Sequence, residues 1–136
     1  MRRIVLCLAL MLAAARPGLA DEPRNPAIEA TIQSQFDAFI ASDLARAFSF
    51  ASPTIQGIFG TPENFGLMVE QGYPMVWRPG SVKYLGLRAV AGGLYQKVAV
   101  TDLAGRLHVL EYEMIADGAG WRVGGVQVLR QPDVGA

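Results

Sequence analysis

The sequence predicts an α+β domain in which three helices, formed by the first half of the chain, pack on one face of a curved four-stranded antiparallel sheet. Two observations predict this fold. Between residues 27 and 77, apolar residues recur at spacings of three and four, which is the period of an α-helix. From Val82 onward, apolar and polar residues alternate, and short turns with glycine separate four runs of this kind, as in a meander of hairpins.

The first 20 residues have the features of a secretory signal peptide. Two arginines precede an apolar run over residues 4–15, and Gly18 and Ala20 are small at the positions three and one before the expected cut. We therefore expect cleavage after Ala20 and secretion, into a bacterial periplasm. A retained anchor helix is the alternative. The run is shorter than the roughly 20 residues that span a bilayer, however, so we expect no stable membrane span after cleavage.

Removal of residues 1–20 changes the charge and the cysteine content of the protein. The full chain of 136 residues has 12 Lys plus Arg, 12 Asp plus Glu, one Cys and one His, whereas the mature chain has 9 basic and 12 acidic residues and no Cys. A disulfide framework, a cysteine zinc motif and a His-rich metal site are therefore excluded. We expect no cofactor, and the mildly acidic charge predicts no nucleic-acid partner.

The mature chain is predicted to be one domain. Residues 21–26 contain two prolines and three charged residues, which is typical of a disordered leader. Residues 27–130 form the α+β domain, and residues 131–136 are expected to be a disordered tail.

Each predicted helix has its own signals. In the first, Ile28, Phe36 and further apolar residues lie on one face. Asp43 is expected to cap the second helix, which Pro53 is expected to end. Thr61 followed by Pro62 places a capping hydroxyl and a proline at the start of the third.

Four strands are predicted over residues 82–91, 94–101, 107–116 and 121–129. Turn length fixes register, and in this register the apolar residues of all four strands share one inward face. The expected pairs include Leu87 with Val98, Val98 with Leu110, Gln96 with Tyr112, Tyr112 with Gly125, and Met114 with Val123.

Four polar side chains are predicted on that inward face, and they form the candidate pocket: Gln96, His108, Tyr112 and Gln127. Gly125, opposite Tyr112, would leave room for a ligand. One interpretation is that these residues bind a small, mostly apolar ligand, since such pockets combine apolar walls with a few hydrogen-bonding groups. The other is that they satisfy one another as a buried polar network.

Three separated motifs resemble the bacterial family named domain of unknown function 4864. They are Ala47-Phe48-Ser49-Phe50-Ala51-Ser52-Pro53, Phe59-Gly60-Thr61-Pro62-Glu63, and Gly72-Tyr73-Pro74 with Trp77-Arg78-Pro79. That family resembles the nuclear-transport-factor-2-like, or SnoaL-like, superfamily of cone-shaped α+β domains. The resemblance implies a cone and assigns no activity. It departs at Trp77, where a tyrosine is expected, and we expect Trp77 to be buried where the chain crosses from helix to sheet.

Catalytic relatives in that superfamily include isomerases, dehydratases and polyketide cyclases, and they use an inward Asp or Glu as base. Here Glu111 and Glu113 have outward parity, and the nearest other acids are Asp37 and Glu70 on the helices. We therefore expect a non-catalytic small-ligand-binding or interaction module. A small-molecule isomerase, cyclase or hydrolase with an acid from the helices is an alternative.

A second alternative involves the outer face of the sheet. Lys97 is expected across from Glu111, in a solvated ladder of charges, and Arg88 is expected to face Lys97. Beside the ladder, four apolar residues are predicted to form an exposed patch: Leu107, Val109, Val126 and Val128. Such a patch would suit a homodimer, or an accessory protein that acts on a partner through this face.

Overall fold

The computed structural model describes residues 20–130. The expected tail and all of the expected signal peptide except Ala20 therefore lie outside the described residues. In chain order the elements are β1 (Ala20–Glu22), α1 (Pro26–Ile40), α2 (Leu44–Ser49), α3 (Pro53–Phe59), α4 (Pro62–Gly72), α5 (Pro74–Trp77), β2 (Pro79–Val90), β3 (Gly93–Asp102), β4 (Leu107–Asp117) and β5 (Gly120–Val128).

The α+β class is confirmed, with an antiparallel sheet of order β1-β2-β3-β4-β5. The described residues hold five helices and five strands rather than three and four, and the helices lie between β1 and β2 in the chain. The core joins α1 and the shorter helices to one face of the sheet: Phe36 packs on Tyr112, and Phe39 packs on Trp77. No helix in the described part of the chain is long and apolar enough to cross a membrane.

Strand β1 occupies part of the segment expected to be a disordered leader. Asp21 pairs with Arg88 and Glu22 with Leu87, so the free edge of β2 gains backbone partners and a pair of opposite charges. Asn25 then caps α1, since its side-chain oxygen accepts from Ala27 N at 3.0 Å. The edge of β2 orders this polar segment, which its composition alone does not predict.

The two predicted helix caps, Asp43 and Thr61, are confirmed, whereas the prediction that Pro53 ends a helix is wrong. Asp43 accepts from Arg46 N at 3.1 Å, and Thr61 accepts from Asn64 N at 3.2 Å. Pro53, expected to end a helix, instead begins α3 behind the capping hydroxyl of Ser52. A proline is compatible with the first turn of a helix, where no intrahelical donor is needed, so Ser52-Pro53 is the same start signal as the one that begins α4.

The central register of the sheet is the predicted one, with Gln96 opposite Tyr112 and Val98 opposite Leu110. The neighbouring ladder differs, because the β2–β3 turn lies at Ala91 and Gly92, both with positive φ, one residue earlier than expected. Leu87 consequently pairs with Gln96 rather than with Val98.

Strand β2 also contains a bulge. Tyr84 pairs with Val98 and Leu87 pairs with Gln96, so two residues of β2, Leu85 and Gly86, stand opposite Lys97 alone. The bulge reverses which side chains face the helices. Tyr84, which precedes the bulge, packs against the core.

A second bulge separates two parts of the β4–β5 ladder. Met114 pairs with Val123 as predicted, but Tyr112 pairs with Val126 rather than with Gly125. Because one residue is added, every later side chain of β5 changes face. Val126 therefore turns toward the helices, and Gln127 turns away from them.

Candidate functional site

A cavity of about 270 Å³ lies between the helices and strands β4 and β5. Eleven of its lining residues are apolar or glycine and three are polar; the lining is Gln35, Phe39, Ala51, Ile55, Phe59, Phe65, Met68, Val69, Tyr73, Val76, Tyr112, Val123, Gly125 and Val126. An apolar recess with a few hydrogen-bonding groups is the usual form of a small-molecule site.

The wall contributed by α3 is held by a short bridge to the sheet. Ala51 forms a parallel bridge with Val123, in which Ser52 N donates to Val123 O and Val123 N donates to Phe50 O, each at 2.8 Å. This anchor lies directly before the start of α3. It fixes the first residues of the helix, which contributes Ile55 to the cavity.

Two of the three polar side chains in the cavity are already engaged as donors. Gln35 Nε2 donates to Ala47 O at 3.1 Å, and the Tyr73 hydroxyl donates to Val126 O at 3.3 Å. Both side chains are thereby fixed in orientation. Each keeps oxygen lone pairs with which it can accept a hydrogen bond.

Tyr112 is the third polar side chain, and it differs from the other two. The residue is 1% exposed, and its hydroxyl has no hydrogen-bond partner among residues 20–130. Burial raises the pKa of the Tyr112 hydroxyl well above its ordinary value, with smaller contributions from Tyr84 and Tyr73. The hydroxyl therefore stays protonated at neutral pH and keeps its hydrogen available for donation, and the residue that carries it lines the cavity.

Of the four residues predicted for the pocket, Tyr112 alone lines the cavity. Gln96 is fully buried beside the β2 bulge, where its Nε2 donates to Leu85 O and to Lys97 O, each at 2.9 Å. His108 is the second residue of β4, and its Nε2 is 2.8 Å from Asp102 Oδ2. Gln127 is exposed, opposite Glu111. The structure brings Gln96 and Tyr112 together as a cross-strand pair and separates the other two from the cavity.

Sequence reasoning missed two polar residues of the cavity, and one of them carried a signal. Gln35 lies three residues after Ile32 and four before Phe39, so helical spacing places it on the buried face of α1. For Tyr73, which precedes α5, no sequence signal points to a contact with Val126, because that contact depends on the second bulge.

The acids proposed for catalysis lie outside the cavity. Asp37 is exposed and accepts from Gln33 Nε2 at 3.0 Å, and Glu70 is exposed on α4. The residues that line the cavity include no Asp, Glu, His, Lys or Arg. In the described part of the chain, no group of three or more His, Cys, Asp or Glu could hold a metal ion.

The outer face also differs from its prediction. Lys97 does pair with Glu111, but Arg88 pairs with Tyr95 and forms a two-pronged salt bridge with Glu111, with Nε 2.9 Å from Oε2. The side chain of Glu111 is only 6% exposed. The pairing of Arg88 with a carboxylate removes the repulsion expected between Arg88 and Lys97.

The predicted apolar patch does not assemble on that face. Leu107 is exposed there and Val109 is buried, whereas the second bulge turns Val126 and Val128 to the helix side of the sheet. The four residues therefore do not form one surface, and the geometric basis for an interface built from them is lost.

Comparison with known proteins places the chain in a family. The family model described as Domain of unknown function (DUF4864) matches residues 21–136. The chain belongs to this family. No curated protein and no solved structure matches the chain. Because the DUF4864 description assigns no activity, the function has to be inferred from the cavity.

Proposed function

We propose that this DUF4864 protein binds a small, largely apolar molecule in the cavity between its helices and strands β4 and β5. The observation that carries the proposal is the combination of an apolar lining with the unpartnered hydroxyl of Tyr112. An apolar cavity of about 150 Å³ suffices to bind benzene, so about 270 Å³ suits a ligand with roughly ten non-hydrogen atoms.

The position of the cavity also supports the proposed role. Its walls come from four helices and the bulged end of β5, and the residue before α3 is held to β5 by the bridge between Ala51 and Val123. The cavity could therefore close only if an element that is held by hydrogen bonds moved. A cavity left empty forfeits the dispersion contacts of its lining, which a ligand of matching shape would restore. Ligand binding should therefore stabilise the fold.

We further propose that the domain is a cone of the nuclear-transport-factor-2-like, SnoaL-like type. The support is an antiparallel sheet with two bulges, each of which increases the local twist, and a cavity between the sheet and α1. An experimental structure in which the sheet is flat would overturn this proposal.

Secretion is proposed on the signal-peptide features of residues 1–20. Full-length protein expressed in a bacterium should be recovered from the periplasm with Asp21 as its N-terminus, which intact-mass measurement would show. An Ala20→Phe variant should retain the N-terminal segment, because signal peptidase requires a small residue before the cut. Wild-type protein recovered from the cytoplasm with residues 1–20 attached would contradict the proposal.

Ligand binding can be tested on the ¹³C-labelled methyl groups of methionine. Met68 lines the cavity, whereas Met114 is buried in the core outside the lining and provides an internal control. Titration with naphthalene and indole should shift the Met68 methyl signal in a saturable manner and leave the Met114 signal nearly unchanged.

A variant pair sharpens this test. Ala51→Leu places additional volume in the cavity wall and should weaken binding, whereas Ala116→Leu makes the same change at an exposed position of β4 and should not. If no probe shifts Met68, or if Met68 and Met114 shift equally, the binding proposal is wrong.

A further inference from the structure

The three polar side chains of the cavity differ in the hydrogen-bond donors that they have already used. This difference limits the chemical class of a ligand. Gln35 and Tyr73 have each used a donor on a backbone carbonyl of the protein. The hydroxyl of Tyr112 has no acceptor among the described residues, although the residue is almost completely buried. The oxygen of this hydroxyl keeps some accessible surface, unlike the Oε1 atom of Gln96, which is buried without a partner. A ligand in the cavity that brings an acceptor to Tyr112 can therefore take a hydrogen bond that no described group of the protein takes.

The charge of the lining restricts the ligand further. No Lys, Arg or His contributes to the cavity, and neither does any Asp or Glu. A carboxylate or phosphate would lose its hydration there without gaining a cationic partner, which is a large penalty in an apolar site. An ammonium group would lack an anionic partner in the same way.

The side of the cavity from which the acceptor must approach is also defined. Tyr112 lies on β4 between Gln96 and Val126 in the sheet, and its ring packs on Phe36 with the ring centroids 6.2 Å apart. The sheet and α1 therefore hold the phenol ring, and the oxygen of the ligand has to reach it from the cavity, where Phe65, Met68 and other apolar side chains receive the rest of the molecule.

We propose that the ligand is an uncharged carbonyl compound, a ketone or an ester, whose carbonyl oxygen accepts a hydrogen bond from the hydroxyl of Tyr112. This inference rests on the proposed binding function of the cavity. It adds the ligand's chemical class and the residue that selects it.

Three probes of similar size separate the relevant properties: acetophenone is neutral with a carbonyl, benzoate is charged, and ethylbenzene has neither a charge nor an acceptor. Affinities are measured from the Met68 methyl signal for the wild-type protein, Tyr112→Phe and Tyr84→Phe. Tyr84→Phe is the matched control, because it removes a hydroxyl that is bonded to Gln33 outside the cavity.

Tyr112→Phe should weaken acetophenone binding about 5- to 10-fold and leave ethylbenzene binding unchanged or slightly tighter, which corresponds to the loss of one hydrogen bond. Tyr84→Phe should change neither affinity. The carbonyl stretching band of bound acetophenone should lie at lower frequency in the wild-type protein than in Tyr112→Phe. This spectroscopic difference would not arise if Tyr112 were only a packing residue.

The outcomes distinguish the two proposals. If Tyr112→Phe weakens acetophenone and ethylbenzene equally, or if the carbonyl band does not move, Tyr112 does not select a carbonyl, although the cavity still binds apolar molecules. If benzoate binds the wild-type protein as tightly as acetophenone at neutral pH, the neutral class is wrong. If none of the three probes shifts Met68, the binding function itself fails.

Discussion

Replacement of Gln96 by leucine should destabilise the protein although the side chain lies outside the cavity. The residue is fully buried, and its amide nitrogen donates to Leu85 O and Lys97 O. Leu85 belongs to the β2 bulge, whose two residues face a single residue of β3, so its carbonyl depends on Gln96 for a partner. Leucine has a similar volume, which limits the change to the loss of these hydrogen bonds.

The expected change in the free energy of unfolding is the sum of opposing contributions. A buried carbonyl left without a partner costs about 1–3 kcal/mol, and the substitution removes the donor for two of them. The side-chain oxygen of Gln96 is itself buried and unpaired, so its removal returns part of that cost. Leucine also adds apolar contact. The expected net decrease in the free energy of unfolding is about 2 kcal/mol.

Urea denaturation followed by circular dichroism measures this change, with Gln127→Leu as the control. Both glutamines were predicted to line one pocket, but Gln127 is exposed, and its substitution should change the free energy of unfolding by less than about 0.5 kcal/mol. If the two variants lose equal stability, or if Gln96→Leu is more stable than the wild type, the support of the bulge by Gln96 is refuted.

Three further predictions concern other parts of the fold. Trp77 packs on Phe39 with ring centroids 5.8 Å apart, so Trp77→Ala should lower the free energy of unfolding by about 3 kcal/mol; a loss below about 1 kcal/mol would contradict its packing role and favour a ligand platform. The hydrogen bond from His108, followed by backbone hydrogen bonds, lowers the pKa of the Asp102 carboxyl, so this stabilisation is present above about pH 4 and is lost as the pH falls through the lower folded-state value. Asp102→Asn should therefore destabilise the protein at pH 7 and have little effect in strong acid, as urea titrations at several pH values would show, and a pH-independent difference would contradict this origin. Helix α3 has no fully buried residue although two of its side chains line the cavity, so its amides should exchange hydrogen faster than those of α1 and slow when a ligand binds; exchange that is unchanged by a bound probe would show that α3 does not respond to the cavity.

Local signals were sufficient where a few neighbouring residues decide the structure. Asp43 and Thr61 cap their helices as predicted, because a side-chain oxygen reaches a backbone donor only three residues away. The β3–β4 register was likewise correct, since its loop and its apolar alternation specify the same pairing. The α+β class was predicted from the period of the apolar residues, which is also a local signal.

The positions of the site residues could not be predicted in the same way, because they depend on bulges. A bulge in β2 and another between β4 and β5 each shift one strand by a single residue, and a shift of one residue exchanges the two faces of a strand. The second bulge moved Val126 into the cavity and Gln127 out of it. The sequence did not predict this exchange, because Gly124 and Gly125 have no side chains whose apolar or polar character could mark the extra residue.

The different outcomes for Gln96 and Tyr112 show how a bulge redistributes polar groups within one ladder. Both residues lie in the correctly predicted β3–β4 register and are paired with each other. Gln96 adjoins β2, where the bulge leaves the Leu85 carbonyl to be satisfied, and its amide is used for that purpose. Tyr112 adjoins β5, where the other bulge places Val126 opposite and no acceptor within reach of the hydroxyl in the described chain. A buried amide beside a bulge is therefore better interpreted as the partner of a displaced carbonyl, and a hydroxyl that lacks such a carbonyl, on a residue that lines a cavity, as a candidate donor to a ligand.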